Sequence, residues 1–442
     1  MMHRVDILDL EYSSKGRDVD IAEPILSYLE LKYNLKIVRK CCFSNWQYYL
    51  LKYRPKVVFI ANGVGSIPQF YIVKIAHFLG CKVVTHCSEG DYQETKKGVI
   101  DFFWGWNKDG ILYEDLHLEW SQRNIDLVEK YIGDFPNIKL SGAVGFDKYK
   151  LLSKRFLKKT EFSKKYKKNA YTKIVGIAGW GFDLLTNNEI KNSISDRISE
   201  EERSKILLSK DRVKKILEQI IQANPSILFI LKYHPLAVNK QASEFYGLPE
   251  LPNVLILQTE ETIFDLINVC DVWGAYESTT AMEAWLIGNK PTFLIQPVDN
   301  DFVRSKISEG SFRVKNAEDL QGFLDEYFTT GESTSFNQLE SKRQMIIERI
   351  IQWSDGRNHQ RAAEYIYELY KNKEKRPVRI NRFVLYVYFR FIYKKITRQI
   401  RRLLRLPLYV DRRFTDKERE EWHQIYYKAI KDFYQKKDGF LI

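Results

Sequence analysis

The sequence predicts an α/β fold of two doubly wound parallel sheets, each covered by helices. Short apolar segments rich in β-branched residues alternate with helical segments, and this alternation occurs in two separate stretches of the chain. The 442 residues are enough for two to three domains, and 44% hydrophobic with 14% aromatic residues exclude a disordered chain.

The first set of strands and helices occupies residues 1–150. Its predicted strands are short and apolar, and helical segments or polar loops separate them. They lie in VDILDL (5–10), LKIVRK (35–40), KVVFIANG (56–63) and KVVTHCSEG (82–90). Strands that alternate with helices at this spacing pair in parallel, which predicts a Rossmann-like domain.

A second set occupies residues 171–370 and predicts a second Rossmann-like domain. Its strands lie in KIVGIAGWG (173–181), SILFILKYHP (226–235) and NVLILQ (253–258), and a strand, loop, helix and strand follow within 271–297. The Lys-rich stretch 151–170 shows no periodicity and is predicted to be a linker.

The excess of positive over negative charge is confined to one segment of the chain. The net charge is +13, and residues 371–413 contain 15 Lys or Arg residues and two acidic residues, so the rest of the chain is neutral overall. A helix from Phe389 onward would place Ile392, Ile396, Ile400 and Leu403 on one face. It would place Lys394, Arg398, Arg401 and Arg405 on another.

Residues 371–442 are therefore predicted to form a basic amphipathic helical region, in which 377–413 lie on an anionic membrane surface. Two alternatives remain, a helix that packs on a core with a solvated basic face and a nucleic-acid-binding patch. No nucleic-acid-binding motif is present, so nucleic acid is not expected as a partner.

The remaining composition predicts a cytoplasmic protein, peripheral at the inner face of the membrane. No run of 18 apolar residues is present, and acidic residues interrupt the short apolar run at the N-terminus, which is unlike a signal peptide. Five Cys residues are too irregularly spaced for a disulfide framework or a zinc module.

Ligands of open α/β sheets bind outside the carboxyl ends of the strands, so the polar residues there are the candidate site residues. In the second domain, Lys232, His234 and Pro235 end the strand SILFILKYHP. Pro235 would stop the strand, and the imidazole and ammonium could bind a phosphate. The alternative is a histidine that fills a turn.

A second candidate is the hydroxyl-rich loop before the helix AMEAWLIGN. Ser278, Thr279 and Thr280 would place hydroxyls and free N–H groups at a helix N-terminus, which favours an anion. The alternative is helix capping, because Thr280 and Glu283 have capping-box spacing. Gly179 lies in a loop, 176–181, that lacks the Walker and GxGxxG patterns and could let the backbone approach a ligand.

The first domain offers a carboxylate after its fourth strand, in the stretch 86–91. Glu89 could act as general base on an acceptor hydroxyl, and Asp91 is a rival in the same loop. His86 and Cys87 are adjacent and would point to opposite faces of a strand, so no metal is expected there.

The order of these motifs resembles the bacterial surface-carbohydrate glycosyltransferases of the GT-B type. The similar groups are the Kdo transferases of capsule assembly and the bacterial polysialyltransferases, and more distantly the CDP-glycerol glycerophosphotransferases. The resemblance covers residues 56–297 and rests on KYHP (232–235), on the Ser/Thr-rich motif before the helix with Glu283, on SEG (88–90) and on SGAVGFDKY (141–149). Ser88 stands where the family often has an acid, and Gly145 where an Arg is common.

The resemblance implies two Rossmann-like domains that face a cleft. It implies that the second domain binds a nucleotide-sugar donor, with the phosphate held by His234 and the three hydroxyls of 278–280 and the ribose by Glu283. Lys232, Pro235 and Gly179 are assigned to the same site, and Glu89 and His234 are the catalytic residues.

The resemblance further implies an inverting, metal-independent glycosyltransferase of lipopolysaccharide O-antigen or capsule synthesis. The implied donor is a CMP-linked ulosonic acid such as Kdo, the acceptor is a lipid-linked glycan, and no further cofactor is expected. The alternatives are a phosphotransferase that uses a CDP-linked polyol and a non-catalytic, membrane-bound scaffold of polysaccharide assembly.

Overall fold

The computed structural model describes residues 4–182, 199–234, 237, 239–299, 306–372, 374, 376–404, 406 and 414–437. The chain forms two compact units. Unit 1 contains Met1–Leu152 and Glu348–Ile442, and unit 2 contains Ser153–Ile347. Each unit holds one six-stranded parallel sheet with flanking helices, so the predicted fold class is confirmed.

The strands of unit 1 pair in the order β2-β1-β3-β4-β5-β6. They are β1 (Ile7–Glu11), β2 (Ile37–Cys41), β3 (Val57–Ile60), β4 (Lys82–His86), β5 (Leu116–Glu119) and β6 (Ile138–Leu140). The helices that alternate with them are α1 (Arg17–Tyr33), α2 (Trp46–Tyr53), α3 (Ile67–Phe78), α4 (Lys96–Trp104), α5 (Gln122–Tyr131) and α6 (Lys148–Leu151). Strand β3, with the sequence VVFI, is fully buried, as expected for a central strand covered on both faces.

The strands of unit 2 pair in the order β12-β11-β10-β7-β8-β9. They are β7 (Lys173–Ala178), β8 (Ile227–Lys232), β9 (Val254–Leu257), β10 (Val272–Ala275), β11 (Thr292–Ile295) and β12 (Phe312–Val314). The helices are α7 (Lys159–Lys165), α8 (Glu200–Ala223), α9 (Ile263–Val269), α10 (Thr280–Leu286), α11 (Ala317–Thr330) and α12 (Thr334–Asn337).

The Lys-rich stretch 151–170 is not the predicted linker, because its residues from Ser153 onward are part of unit 2. It contains α7, whose Lys159 Nζ lies 2.7 Å from Asp271 Oδ2. The N–H of Leu157 donates to Asp265 Oδ1 at 2.8 Å. These contacts, together with the buried Phe162 of α7, hold the stretch on unit 2.

Four further helices complete the described chain, the first of which crosses from unit 2 into unit 1, and they also change the predicted boundaries. They are α13 (Glu340–Ile351), α14 (Asn358–Lys371), α15 (Arg382–Leu403) and α16 (Asp416–Lys437). Helix α14 belongs to unit 1 and not to the second domain predicted to end at residue 370. Its His359 is buried, with Nδ1 2.8 Å from Asp147 Oδ2.

Helix α16 is also part of unit 1, so the region 371–442 is not a single appendage. Tyr426, Ile430 and Tyr434 of α16 are buried, and the last two join the core formed with α1 and α14. Arg419 reaches the end of β1, where its Nε donates to Glu11 Oε2 at 2.6 Å.

Candidate functional site

The carboxyl edge of the unit 2 sheet brings three of the predicted motifs together. Strand β7 pairs in parallel with β8 on one side and with β10 on the other, so the strands that follow β7 are added first to one side of it and then to the other. Ligands of doubly wound sheets bind at such a switch point. The loops that follow these strands contain the Gly-rich segment 179–181, Tyr233 with His234, and the segment 276–279.

Gly179 allows the first of these loops to lie against the end of β8. Its N–H donates to the Lys232 carbonyl at 2.7 Å. A Cβ at this position would lie 3.0 Å from the same oxygen and 2.9 Å from Phe245 Cε2. The backbone at Gly179 therefore approaches the end of β8 closely, whereas the sequence suggested a close approach to a ligand.

Three aromatic side chains line this part of the edge. The ring centroid of Trp180 lies 4.8 Å from that of Phe182 and 5.6 Å from that of Tyr276. Phe182 and Tyr276 are buried, whereas Trp180 is half-buried. Trp273, which precedes this loop on β10, is fully buried, and its indole N–H donates to Thr280 Oγ1 at 2.9 Å.

Lys232 supports the turn through its ammonium group. The side chain is buried, and Nζ donates to the carbonyls of Gln258 at 2.5 Å and Glu261 at 3.2 Å. Burial lowers the pKa of Lys232. His234 is half-buried at the same edge, and its carbonyl accepts the Ala237 N–H at 2.9 Å. Pro235 lies outside the described residues.

The hydroxyl-rich loop ends at α10, which begins at Thr280. The N-cap is therefore Thr279, and the capping box suggested by the spacing of Thr280 and Glu283 does not form. Ser278 Oγ accepts the Thr280 N–H at 3.2 Å. Thr279 is exposed and Glu283 is half-buried on the first turn of the helix.

The carboxyl edge of the unit 1 sheet carries the predicted base. Glu89 follows β4, its side chain is 62% exposed, and its Oε1 lies 2.5 Å from Nη1 of Arg17. Arg17 is the first residue of α1, directly after the loop that follows β1. Sequence reasoning missed Arg17, although its place next to Gly16 and after a strand is a signal for an edge residue.

The rival carboxylate is less accessible than Glu89. Asp91 Oδ1 lies 3.6 Å from Arg123 Nη1, and the Asp91 side chain is 23% exposed. Burial in turn lowers the pKa of Arg123. The geometry therefore favours Glu89 as the carboxylate that could meet an acceptor.

Tight packing fixes the loop that presents Glu89. A Cβ at Gly90 would lie 2.3 Å from Trp120 Cδ2, so only glycine fits. The Trp120 indole N–H donates to the Cys87 carbonyl at 2.6 Å. Asn62 Nδ2 donates to Ser88 Oγ at 2.7 Å, so this serine anchors the loop.

Buried polar groups lie beneath this loop. His117 Nε2 lies 3.1 Å from Glu119 Oε1, and the Tyr92 hydroxyl donates to the same oxygen at 2.8 Å. Burial lowers the pKa of His86 to about 4, so its imidazole is neutral at pH 7. Within the described ranges, no group of three or more His, Cys, Asp or Glu residues is arranged to hold a metal ion.

The segment 141–149 lies within unit 1. Ser141 Oγ is buried and donates to the Glu119 carbonyl at 3.2 Å. A Cβ at Gly145 would lie 3.3 Å from Ile21 Cγ1, so this position is packed against α1. Asp147 accepts the backbone N–H of His359 at 2.7 Å.

Known proteins resemble this chain in structure and not in sequence. No protein-family model matches the sequence, and no curated protein sequence is similar to it. Staphylococcus aureus MnaA in a co-structure with UDP is 11% identical with a TM-score of 0.55, covering 85% of this chain and 100% of that protein.

Two further solved structures show the same likeness. A putative UDP-N-acetylglucosamine 2-epimerase from Listeria monocytogenes is 10% identical with a TM-score of 0.56, over 86% of this chain and 100% of the epimerase. The wall teichoic acid polymerase TagF, solved with CDPG, is 10% identical with a TM-score of 0.52, over 83% of this chain and 89% of TagF.

The chain has a GT-B fold. Two Rossmann-like sheets and a likeness that covers most of this chain support this statement. At these identities the comparison extends to the fold and not to the substrate. None of these three proteins is a Kdo transferase, so that finer resemblance stays a prediction.

Proposed function

We propose that the protein is an inverting glycosyltransferase of bacterial surface-polysaccharide synthesis that uses a nucleotide-activated sugar. The observation that carries this proposal is the convergence of three loops at the switch point of unit 2. They bring the Gly179 turn, His234 and the hydroxyls of 278–280 to one sheet edge. MnaA and TagF, which share the fold, were solved with UDP and CDPG, and this supports a nucleotide ligand.

Unit 2 would bind the donor. His234 and the hydroxyl of Thr279 would hydrogen-bond the donor phosphate, together with Ser278 and Thr280, and Glu283 would hold the ribose. Of the three hydroxyls, Thr279 is the most exposed, whereas Thr280 Oγ1 already accepts the Trp273 indole N–H. We therefore expect Thr279 to contribute more to nucleotide affinity than Thr280.

Unit 1 would supply the base. Glu89 would take the proton from the acceptor hydroxyl as that oxygen forms a bond to the anomeric carbon. The bond from this carbon to the phosphate oxygen breaks, and the electron pair leaves with the nucleotide, whose phosphate His234 stabilises. A single displacement inverts the anomeric carbon. Arg17 would orient Glu89 through the ion pair described above.

The donor that we favour is a CMP-linked ulosonic acid such as Kdo, because of the motif resemblance. The acceptor would be a lipid-linked glycan of O-antigen or capsule, and, as the motif resemblance implies, the chemistry would need no metal. The second candidate is transfer of a polyol phosphate from a CDP-linked donor. The likeness to TagF with CDPG favours this candidate.

Nucleotide binding by calorimetry tests the donor site. The ligands are CMP, CDP, UDP, GDP and ADP, and the variants are His234→Ala and Thr279→Ala. Thr330→Ala is the matched control, because Thr330 is exposed in the same unit and its hydroxyl bonds to nearby backbone groups, the carbonyls of Glu326 and Glu332 and the N–H of Glu332. We expect each site variant to weaken binding by about tenfold, the loss of one charge-assisted hydrogen bond, and the control to bind as the wild type does.

The preferred nucleotide decides between the candidates. Preference for CMP supports the CMP-sugar transferase, and preference for CDP supports the polyol-phosphate transferase. Preference for UDP retains a nucleotide-sugar enzyme and rejects the ulosonic-acid donor. If none of the five nucleotides binds, the proposal is wrong and a scaffold role replaces it.

Turnover tests the base. Glu89→Gln should abolish transfer and leave nucleotide affinity unchanged, since the proposed donor residues lie on the other unit. Glu129→Gln, an exposed glutamate of α5 in the same unit, is the control and should remain active. Loss of nucleotide binding in Glu89→Gln would remove this residue from the base role. Product analysis separates a glycosidic bond from a phosphodiester and from an epimerised donor.

A further inference from the structure

Helix α15 exposes a continuous row of large apolar side chains. The row repeats every three or four residues, so its members lie on one face of the helix. They are Leu385, Phe389, Ile392, Ile396, Ile400 and Leu403, and Tyr386 and Tyr393 lie beside the row. Phe389 is 68% exposed and Leu403 is 83% exposed. Exposed apolar surface that is continuous over a whole helix marks an interaction site.

Positive charge accompanies this row. Residues 376–404 contain nine Lys or Arg residues and no acidic residue. On α15 the exposed cations of the second half are Lys394, Lys395, Arg398, Arg401 and Arg402. At 100° per residue they fall on the side of the helix away from the apolar row. A helix with this composition fits a negatively charged surface that has an apolar layer beneath it.

The other face of α15 is fixed on unit 1. Val384 and Val387 are buried in the core that α2 and α3 form with the sheet. Phe383 stacks edge-on against Tyr71, with 5.1 Å between the ring centroids. The core-packing alternative therefore explains this face of the first half of α15, and the apolar row remains exposed.

The segment before α15, residues 376–381, fastens the helix further. Arg376 Nη2 lies 2.5 Å from Asp115 Oδ1. The N–H of Arg379 donates to the carbonyl of Phe78, the last residue of α3, at 2.8 Å. Contacts of the preceding segment and of the first half of α15 thus fix the orientation of the helix on unit 1, and with it the direction in which the apolar row faces.

Two contacts give the direction of α15 along unit 1. Phe78 ends α3, which connects β3 to β4 and therefore ends at the amino edge of the sheet. Further along α15, the Tyr388 hydroxyl donates to the carbonyl of Gln47 at 3.3 Å, and Lys395 Nζ lies 5.3 Å from the Tyr48 ring centroid. Gln47 and Tyr48 lie in the first turn of α2, which follows β2 at the carboxyl edge.

Helix α15 therefore runs from the amino edge to the carboxyl edge of the unit 1 sheet. Its last two turns, after Lys395, lie at the edge that also carries Glu89. The apolar row is continuous from Leu385 to Leu403 and so reaches this edge.

We propose that the exposed face of α15 docks on an anionic lipid bilayer and thereby brings the carboxyl edge of unit 1, with Glu89, to the membrane surface. The helix would lie in the interface, since no helix among the described residues is long and apolar enough to cross a membrane. An acceptor carried by a lipid would meet the base at this edge. Only this last step rests on the proposed function, because docking itself needs neither donor nor acceptor.

Vesicle sedimentation of the full chain tests the docking surface. The vesicles are phosphatidylcholine alone and phosphatidylcholine with phosphatidylglycerol. One variant removes charge at Lys394→Gln, Arg398→Gln and Arg401→Gln. Its matched control removes the same charge from exposed lysines of unit 2, at Lys164→Gln, Lys215→Gln and Lys315→Gln.

A second variant removes part of the apolar row, with Phe389→Ser and Ile396→Ser. Its control is Leu208→Ser with Met345→Ser, two exposed apolar residues of unit 2. All substitutions lie at exposed positions, so circular dichroism should be unchanged in the four proteins.

We expect the wild type to bind the anionic vesicles and not the neutral ones. Each α15 variant should bind them about tenfold more weakly, because α15 carries the exposed apolar row and the cations together, and both controls should bind as the wild type does. Equal losses in variants and controls would overturn the proposal. Tighter binding of an oligonucleotide, which displaces the vesicles, would overturn it in favour of nucleic acid.

The two proposals can fail separately. Vesicle binding without nucleotide binding would reject the enzyme and keep the docking surface. Nucleotide binding without vesicle binding would reject the docking surface and keep the enzyme. If both hold, the charge variant should lose transfer to a lipid-borne acceptor and retain transfer to a short soluble glycan, because its donor site and Glu89 are intact.

Discussion

At the scale of single residues, two glycines shape the loops that present the candidate site. Gly90 lies against the Trp120 ring, and Gly179 lies against the carbonyl that ends β8. Neither glycine is needed for a left-handed backbone conformation, since neither has a positive φ. Both are needed because a side chain would displace the loop, which then could not hold Glu89 or the residues after β7 in place.

Gly179→Ala should therefore destabilise unit 2 by about 1–3 kcal/mol, the usual cost of overpacking, and weaken nucleotide binding. Gly322→Ala is the matched control. Gly322 lies within α11, and a Cβ there would have nothing within 4 Å beyond the helix's own backbone, so alanine should stabilise by about 0.5–1 kcal/mol. Denaturant titration measures both changes. Equal stability of Gly179→Ala and the wild type would contradict the packing argument.

His86 should make the stability of unit 1 depend on pH. Burial lowers its folded pKa to about 4, whereas an unfolded histidine titrates near 6.5. Below about pH 6.5 the unfolded chain binds the extra proton first, so stability is full above this pH and falls until about pH 4. The total loss is about 3 kcal/mol. In His86→Gln, the fall in free energy of unfolding between these pH values should become smaller by this amount.

At the scale of elements, β1 is a buried central strand that contains two acids. Asp9 and Glu11 are buried, and Glu23 of α1 lies beside them. Burial raises the pKa of Glu23, but Arg39 and Arg419 outweigh this effect and hold its pKa well below the usual range. Arg419 comes from α16, about 400 residues later in the chain. Helix α16 therefore supplies the cation that compensates the buried acids of β1.

Arg419→Ala should destabilise unit 1 by about 3–5 kcal/mol, because it removes the guanidinium that the buried Asp9, Glu11 and Glu23 share. Lys417→Ala, on the same helix with its side chain 89% exposed, should change stability by less than about 0.5 kcal/mol. Thermal unfolding of both variants measures the difference. A small effect of Arg419→Ala would show that the acids are neutralised by other groups.

At the scale of the whole molecule, the chain builds one unit from two separate segments and the other from the segment between them. The proposed donor residues all lie in unit 2, whereas the base and the α15 surface lie in unit 1. Binding of a nucleotide should therefore stabilise one unit selectively.

In differential scanning calorimetry we expect two transitions. The nucleotide preferred in the binding experiment, at about 100 times its Kd, should stabilise the unit 2 transition by about 2.7 kcal/mol and leave the other in place. Arg419→Ala should lower the midpoint temperature of the unit 1 transition, which the nucleotide does not shift, and leave that of the unit 2 transition unchanged. An equal shift of both transitions by nucleotide would indicate that the ligand binds both units or that they unfold together.

Much of this architecture was predictable from local sequence. Short apolar runs such as VVFI and ILFILK favour buried parallel strands, independently of the elements that pack on them. The residues that follow each such strand then lie at the carboxyl edge of the sheet. Glu89, His234 and the hydroxyls of 278–280 were predicted as candidate site residues in this way. Lys232 was predicted in the same way, but the structure pairs its ammonium group with two carbonyls, and the sequence cannot tell such a contact from one with a ligand.

The sequence by itself thus determined two parallel sheets, the edge positions of the candidate site and the amphipathic character of α15. Only the tertiary structure decided that α14 and α16 return to unit 1, that Arg17 pairs with Glu89, and which face of α15 is exposed. The physical reason is that apolar periodicity specifies the face that a helix buries and not the surface that buries it. The partners of a buried charge, such as those of Arg419, come from distant parts of the chain and leave no local pattern.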